Sequence, residues 1–329
     1  MTRRWVNRSG LNPVVVAAVI DDDYDPGNSD LTVTQLLDAP YRVAQLRRPE
    51  MENVTADPVD RIYALFGKLI HSLLENGHPK MSGDKADIVN RLCPGYGEVN
   101  TEDRLYDEHM GIRWSGQYDL HYQRGTKWIL EDHKVVSVDE FRINRQESKW
   151  EQQLNLLALL LRLNGKPIDD VAINCYYRDW SKAKAMFDRS GEYPKRQHVR
   201  VPFKLWSIQR QIAFLEDRIT AHRLAANTPC TAEERWAKPA KWAVMVPGKS
   251  RASRLLDTKD EAESWLHEKM MDKKAARGFA GASIEERPGV SLRCLAYCEA
   301  AEICPHWAEL RSKQTSQSLD NEVIDNGIE

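Results

Sequence analysis

The feature that most constrains this chain is a change of character along one strand. Residues 126–136 alternate as a β-strand does, with side chains pointing to opposite faces in turn. In WILEDHKVV, Trp128, Leu130, Asp132 and Lys134 share one face, and Ile129, Glu131, His133 and Val135 share the other. The first face starts apolar and ends charged, which marks where a strand leaves the core and reaches a cleft. A short turn around Arg124-Gly125 joins it to a preceding strand, residues 113–122, where Asp119 follows Gly116. Pairing these strands can bring Asp119 and Asp132 together, and the missing side chain of Gly116 leaves room beside Asp119.

Two carboxylates a few ångströms apart repel each other unless a cation lies between them. Mg²⁺ is the usual solution, because it takes oxygen ligands and retains water. Lys134, on the same face as Asp132, could then orient or deprotonate a bound water, or stabilise charge in a phosphoryl transition state. Taken alone, Asp-x-Lys is so common that a solvated hairpin with a surface ion pair is the better account of it.

The remaining pattern mixes helices and strands. Thr32 or Thr34 can cap a short helix in TQLLDAPYRVAQLRR, interrupted at Pro40. Residues 59–76 predict a helix with Ile62, Phe66, Leu69 and Leu73 on its apolar face. On that helix Gly67, His71 and Glu75 form another stripe, with His71 about 180° from the middle of the apolar one. Residues 147–163 predict a leucine-rich helix in which Gln153 shares a face with Leu157, Leu160 and Leu161. That glutamine is either at the solvent border or buried with a specific partner. Residues 168–177 predict a strand and 203–226 a long helix, while 230–290 holds a strand-like WAVMV and a helical EAESWLHEKMMDKKAA.

Forty-seven Lys and Arg against 49 Asp and Glu exclude a wholesale basic coat for nucleic acid, but not a local basic groove. No apolar run approaches the ~18 residues of a membrane span, and the start does not read as a signal peptide. A cytoplasmic setting without membrane attachment is expected, the host cytoplasm if the chain is phage-encoded. In such a reducing compartment clustered cysteines suggest metal before disulfides. Cys294, Cys298 and Cys304 are spaced C-x3-C-x5-C, and Cys230, in a polar loop after a helix, is the expected fourth ligand. Cys93 is the runner-up, His306 could complete a Cys₃His zinc site, and Cys175 reads as ordinary core.

Together the motifs resemble the RecB-type branch of the PD-(D/E)XK nucleases over about residues 30–180. They are Gly67-x3-His71 followed by Leu74-Glu75, then Gly116-x2-Asp119, then Asp132-His133-Lys134, then Gln153 with Leu157 in the place of the family's tyrosine. RDWSKAKA and CTAEERW also resemble phage-encoded members; the cysteine-bearing, CRISPR-associated exonucleases are similar too. The resemblance implies a restriction-endonuclease-like α/β core, its central mixed sheet flanked by helices. It implies Mg²⁺ or Mn²⁺ bound by His71, Asp119, Asp132 and the carbonyl of His133. Lys134 would act on the attacking water, Gln153 would position the motif strand or the DNA backbone, and Glu75 would be an outer-shell group. Several members hold a four-iron four-sulfur cluster on four cysteines, so the C-terminal set implies such a cluster or, alternatively, Zn²⁺. Here the first spacing is three rather than two, and the family's N-terminal cysteine position looks like Ala39.

The expected organisation is a flexible arm (1–28), a nuclease core (29–226), a cysteine-clamped extension (227–312) and a disordered tail (313–329). The expected activity is metal-dependent DNA hydrolysis, as an exonuclease in phage-type recombination, repair or degradation. The substrate would be single- or double-stranded DNA, with a recombination or single-strand-binding protein as a possible partner. Arg142, Arg145, Lys149, Trp150 and Arg178 are the candidate DNA contacts, with Trp180, Lys182 and Lys184 nearby. No Walker motif is present, so any unwinding would come from a partner. The alternatives are a non-catalytic DNA-binding or assembly protein that retains the fold, and a zinc-stabilised adaptor.

Overall fold

The computed structural model describes residues 4–20, 27–75, 77, 86–142 and 147–312. The chain divides into two compact units, Met1–Val43 with Thr55–Ala226, and Ala44–Val54 with Asn227–Glu329. The second unit thus combines a short early segment with the chain from 227 onward. The expected tail, Arg145 and the side chain of Arg142 lie outside the described residues. Where a flexible arm was expected, Arg4–Trp5 forms a strand (β1) and Pro13–Ile20 a helix (α1). Among the described residues no helix is long and apolar enough to cross a membrane.

Next along the chain are β2 (Leu31–Thr32), α2 (Val33–Leu37), α3 (Pro40–Leu46, which crosses the division after Val43), β3 (Thr55–Ala56), α4 (Ile62–Glu75) and α5 (Ala86–Leu92). Then come β4 (Tyr96–Thr101), β5 (Arg104–His109), β6 (Ile112–Gln117), β7 (Leu120–Arg124) and β8 (Lys127–Val136). They are followed by α6 (Val138–Arg142), α7 (Glu147–Leu163), β9 (Asp170–Tyr177), α8 (Lys182–Phe187), β10 (His198–Phe203) and α9 (Ile208–Arg223). The main sheet has the order β10-β9-β8-β7-β4, with β8 and β9 parallel and the other pairs antiparallel. A second sheet, β2-β6-β5, joins a parallel and an antiparallel pair. The architecture is thus α/β, with mixed sheets flanked by helices.

The core forms around α7. Leu154 and every residue from Leu156 to Leu161 are buried, because strands of both sheets, α2 and α9 all approach this helix. Leu130, Ile173 and Cys175 face it from the main sheet, which makes Cys175 the core residue expected. The break at Pro40 appears as expected, with Thr32 closing a capping box with Gln35 at the start of α2.

Two expectations need correction. The single strand expected over 113–122 is two strands in different sheets, β6 and β7, with Tyr118-Asp119 at the break. Tyr118 is buried there, its N–H donating to the Asp103 carbonyl at 3.2 Å and its hydroxyl to Asp103 Oδ2 at 2.7 Å. The apolar stripe of α4 does not face a core either. Phe66, Leu69 and Leu73 are 47%, 57% and 66% exposed. The helix instead turns its Gly67–His71 side inward, where the imidazole finds polar partners near β8.

In the second unit, β11 (Ala237–Lys238) pairs with β15 (Val290–Ser291). Between them β12 (Lys241–Met245), β13 (Arg254–Leu256) and β14 (Ser283–Arg287) form an antiparallel sheet with α10 (Lys259–Met271) packed on it. Met51, Val54 and Ala300 form a small core of their own, with Leu46, Cys298 and Ile303 against it.

Candidate metal centre and cysteine cluster

Three elements deliver three ligand-type side chains to one point. His71 comes from α4, Glu102 from the turn between β4 and β5, and Asp119 from the break between β6 and β7. One ligand atom from each lies within 4.8 Å of the others. His71 Nδ1 is 3.3 Å from Glu102 Oε1 and 3.6 Å from Asp119 Oδ1. The second oxygen of each carboxylate is used to aim it. Gln117 Nε2 donates to Glu102 Oε2 at 2.9 Å, and the His133 N–H donates to Asp119 Oδ2 at 2.6 Å. The β7–β8 register pairs Leu120 with Glu131, so one step further Asp119 stands across from Asp132 and His133.

Asp132, 2% exposed, is held from two sides. Gln153 of α7 donates to Oδ1 at 2.7 Å, and the Lys134 ammonium lies 2.6 Å from Oδ2, although no aligned hydrogen bond reaches that oxygen. Burial, followed by the charge of Asp132, pushes the Asp119 carboxyl up to about 8, against the pull of His71, Lys134 and the His133 N–H. Hydrogen bonding to Glu102 holds His71 above its ordinary value despite burial. Burial draws Lys134 down, but Asp132 and Asp119 outweigh it and leave the ammonium favoured. Burial lowers His133, whose Nδ1 is 3.3 Å from the Tyr176 hydroxyl. Clustered carboxylates with this penalty, beside an imidazole, are a donor set that a divalent cation would relieve; nitrogen and oxygen together suit Mn²⁺ as well as Mg²⁺.

Among the expected site residues, His71 and Asp119 lie within the triad, while Asp132, Lys134 and Gln153 form an ion-paired and hydrogen-bonded set beside it. Glu102 was missed. It sits in a turn with φ 55°, in the left-handed region, and no motif spacing points to it. Asp132 is not among the three converging ligand atoms; Gln153 donates to its Oδ1 and the Lys134 ammonium lies beside Oδ2. The His133 N–H donates to Asp119, and His133 lines the cleft beside the triad. Glu75 is exposed at the end of α4, outside the triad. Gly116 makes room for the core and not for Asp119: a Cβ there would meet Leu157, Val33 and Leu160. Position 157, where the tyrosine was missing, is therefore core.

The cleft beside the triad is lined by Phe66, Gly67, His133, Lys134, Glu140 and Arg178. Arg178 thus borders it, 3.5 Å from Glu140. Lys149 is exposed on α7, but Trp150 is 7% exposed in the core and offers no stacking surface. Trp180 is half-buried, its indole N–H donating to the Pro194 carbonyl at 2.8 Å. Lys182 and Lys184 are exposed on α8.

The second unit carries the cysteines. Burial pushes the Cys294 thiol up, and its neighbours Cys298 and Cys304 add to that. The Trp307 N–H donates to Cys304 Sγ at 3.4 Å. Arg235 donates to the Cys230 carbonyl, lies 3.2 Å from His306 Nε2, and reaches Ser291 Oγ at 3.3 Å. Cys93 belongs to the other unit, exposed after α5. Among the described residues no three cysteine sulfurs lie within 4.8 Å of one another. A set of thiolates suits either tetrahedral zinc or an iron–sulfur cluster.

No family model matches the chain, and no curated protein does. Among solved structures, the crystal structure of SSO0001 is similar over 68% of this chain and 87% of that one, at 13% identity and a TM-score of 0.39. That likeness is too slight to identify a fold or a function.

Proposed function

We propose that the chain is a divalent-metal-dependent nuclease of the RecB-like PD-(D/E)XK type that hydrolyses DNA phosphodiester bonds. One observation carries this reading: His71, Glu102 and Asp119 converge from three elements beside the Asp132–Lys134 pair and a cleft bordered by Arg178. In this reading His71, Glu102 and Asp119 hold the cation, and Asp132 contributes negative charge beside it. A bound cation supplies Lewis acidity and an activated water at neutral pH.

The chain's own groups do the rest. The His133 N–H and Gln117 keep the carboxylates aimed, so little reorganisation accompanies binding. Gln153 holds Asp132, leaving Lys134 to present a fixed ammonium to the cleft. Held beside Asp132, the Lys134 ammonium would stabilise charge building on the phosphate oxygens. Arg178 is positioned to meet a phosphate entering along the cleft. In the second unit, Cys230, Cys294, Cys298 and Cys304 would hold an iron–sulfur cluster as a structural clamp, since none of the proposed catalytic groups is a cysteine.

End-labelled single- and double-stranded DNA, linear and circular, tests this with Mg²⁺, Mn²⁺ and chelator. The expected result is metal-dependent cleavage by the intact chain, lost in Asp119→Asn and Lys134→Ala with DNA binding retained. No cleavage of any substrate with either metal, or wild-type rates in both variants, would refute the assignment.

A further inference from the structure

The second unit contains a small module that the proposed cleavage centre does not use. Strands β12, β13 and β14 and helix α10 span residues 241–287. The β12–β13 register pairs Trp242 with Leu256 and Val244 with Arg254, so the hairpin loop 246–253 lies beyond Met245. Helix α10 starts at the opposite end, where the Lys259 ammonium lies 5.8 Å from the centre of the Trp242 ring. Its far end leads through residues 272–282 into Ser283, which pairs with Met245. Both loops therefore meet at one end, and a Cβ on Gly281 would sit 3.2 Å from Pro247 Cγ.

That end is strongly basic. Lys249, Arg251 and Arg254 come from the hairpin, and Lys269, Lys273, Lys274 and Arg277 from the end of α10 and the loop after it. Only Glu268 and Asp272 oppose them along these segments, in a chain whose net charge is -2. The acids gather at the other end, as Asp257, Asp260, Glu261 and Glu263. Lys249, Arg251, Lys273, Lys274 and Arg277 are exposed, and among the described residues no carboxylate pairs with them. Behind them Trp265 is fixed against Phe279 at 5.3 Å, with Arg254 and Lys269 at 5.7 and 5.6 Å from its ring. The helix dipole accounts for lysine in the last turn of α10, but not for the cations of the hairpin. Holding seven like charges on converging loops costs the fold energy through self-repulsion, which a polyanion would relieve.

We propose that this end of the module binds the phosphodiester backbone of DNA, through charge and without reading bases. The inference rests on the nuclease reading for the choice of DNA as the polyanion, while its geometry is independent of the metal centre. It gives the chain a hold on substrate outside the cleft.

The test uses the full chain in chelator, so that nothing is cleaved, with a fluorescent duplex and the matching single strand titrated at several salt concentrations. One variant carries Lys249→Gln, Arg251→Gln, Lys273→Gln, Lys274→Gln and Arg277→Gln together. A second carries only Lys249→Gln and Arg251→Gln, in case the first fails to fold by circular dichroism. A third replaces Lys273 and Lys274 by Arg. Each lost phosphate contact lowers the slope of log affinity on log salt by about 0.9 on duplex and about 0.7 on single strand. The fivefold variant should lose at least about tenfold in affinity and two or more such steps in slope; the twofold variant should lose less, and the arginine variant nothing. Patch-dependent DNA binding by a chain that cleaves nothing would sink the nuclease reading and leave this one standing. Three results would overturn it: no DNA binding by the intact chain, affinity and slope unchanged in the glutamine variants, or loss confined to phosphatidylserine vesicles with DNA binding intact.

Discussion

Gly116→Ala separates two accounts of the same glycine by the sign of its effect. The φ of Gly116 is not in the left-handed region, so alanine is conformationally allowed. With open space beside Asp119, the change would stabilise the protein by about 0.4–1 kcal/mol, by restricting the unfolded chain. The structure instead puts the new methyl 2.6 Å from Leu157 Cδ2, 2.8 Å from Val33 Cγ2 and 2.9 Å from Leu160 Cδ1. Ordinary carbon contacts are about 3.5–4.0 Å, so each neighbour would have to retreat by roughly 1 Å. All three are at most 3% exposed and belong to two helices, α2 and α7, so they cannot move together into solvent. Overpacking costs about 1–3 kcal/mol, and three short buried contacts at once put this site at about 2–3, leaving a net loss of about 1–2.6 kcal/mol. At roughly 2–4 °C per kcal/mol for a domain of this size, the melting temperature should fall by about 2–10 °C. In the proposed nuclease reading, cleavage should fall as well, because β6 ends two residues before Asp119. Differential scanning calorimetry of the purified variant decides it: an unchanged or raised melting temperature refutes the packing account.

Glu102→Gln should weaken Mn²⁺ binding by at least about tenfold in direct titration, since it removes a ligand charge, while Glu75→Gln should leave it unchanged. Equal behaviour of the two would return Glu102 to an ordinary turn. Leu69→Gln with Leu73→Gln should change stability by no more than about 0.5 kcal/mol each in urea unfolding, because both leucines face solvent. A large loss would mean the stripe is buried after all. Glu131→Ala should cost about 2–3 kcal/mol, because Glu131 is 5% exposed and accepts from Tyr122, Asn174 and Arg200. Arg200 is itself 40% exposed, which keeps the loss below that of a fully buried pair. A neutral result would show that these donors find water instead.

Local pattern carried a large part of this protein. The period-two alternation over residues 126–136 placed Asp132 and Lys134 on one face of β8, and helical spacing placed Gln153 on α7, because both periods follow from backbone geometry within one element. The leucine run of α7, the strand at 170–177 and the stop at Pro40 were legible for the same reason. The partners of those residues were not. Glu102 joins His71 and Asp119 only because β4 turns into β5 next to the break at Tyr118-Asp119, and that break is a change of sheet, which strand periodicity does not record. Gly116 looked like space for a carboxylate, yet its vacancy is filled by α7 and Val33, side chains distant in sequence. The orientation of α4 ran against its own hydrophobic pattern. Three leucine- and phenylalanine-sized side chains stay in solvent, while on the Gly67–His71 side the imidazole meets two carboxylates supplied by other elements. Sequence spacing determines which side chains an element presents together. Which of those faces is buried, and against what, depends on surfaces brought in by other parts of the chain, and only the assembled tertiary structure decides that.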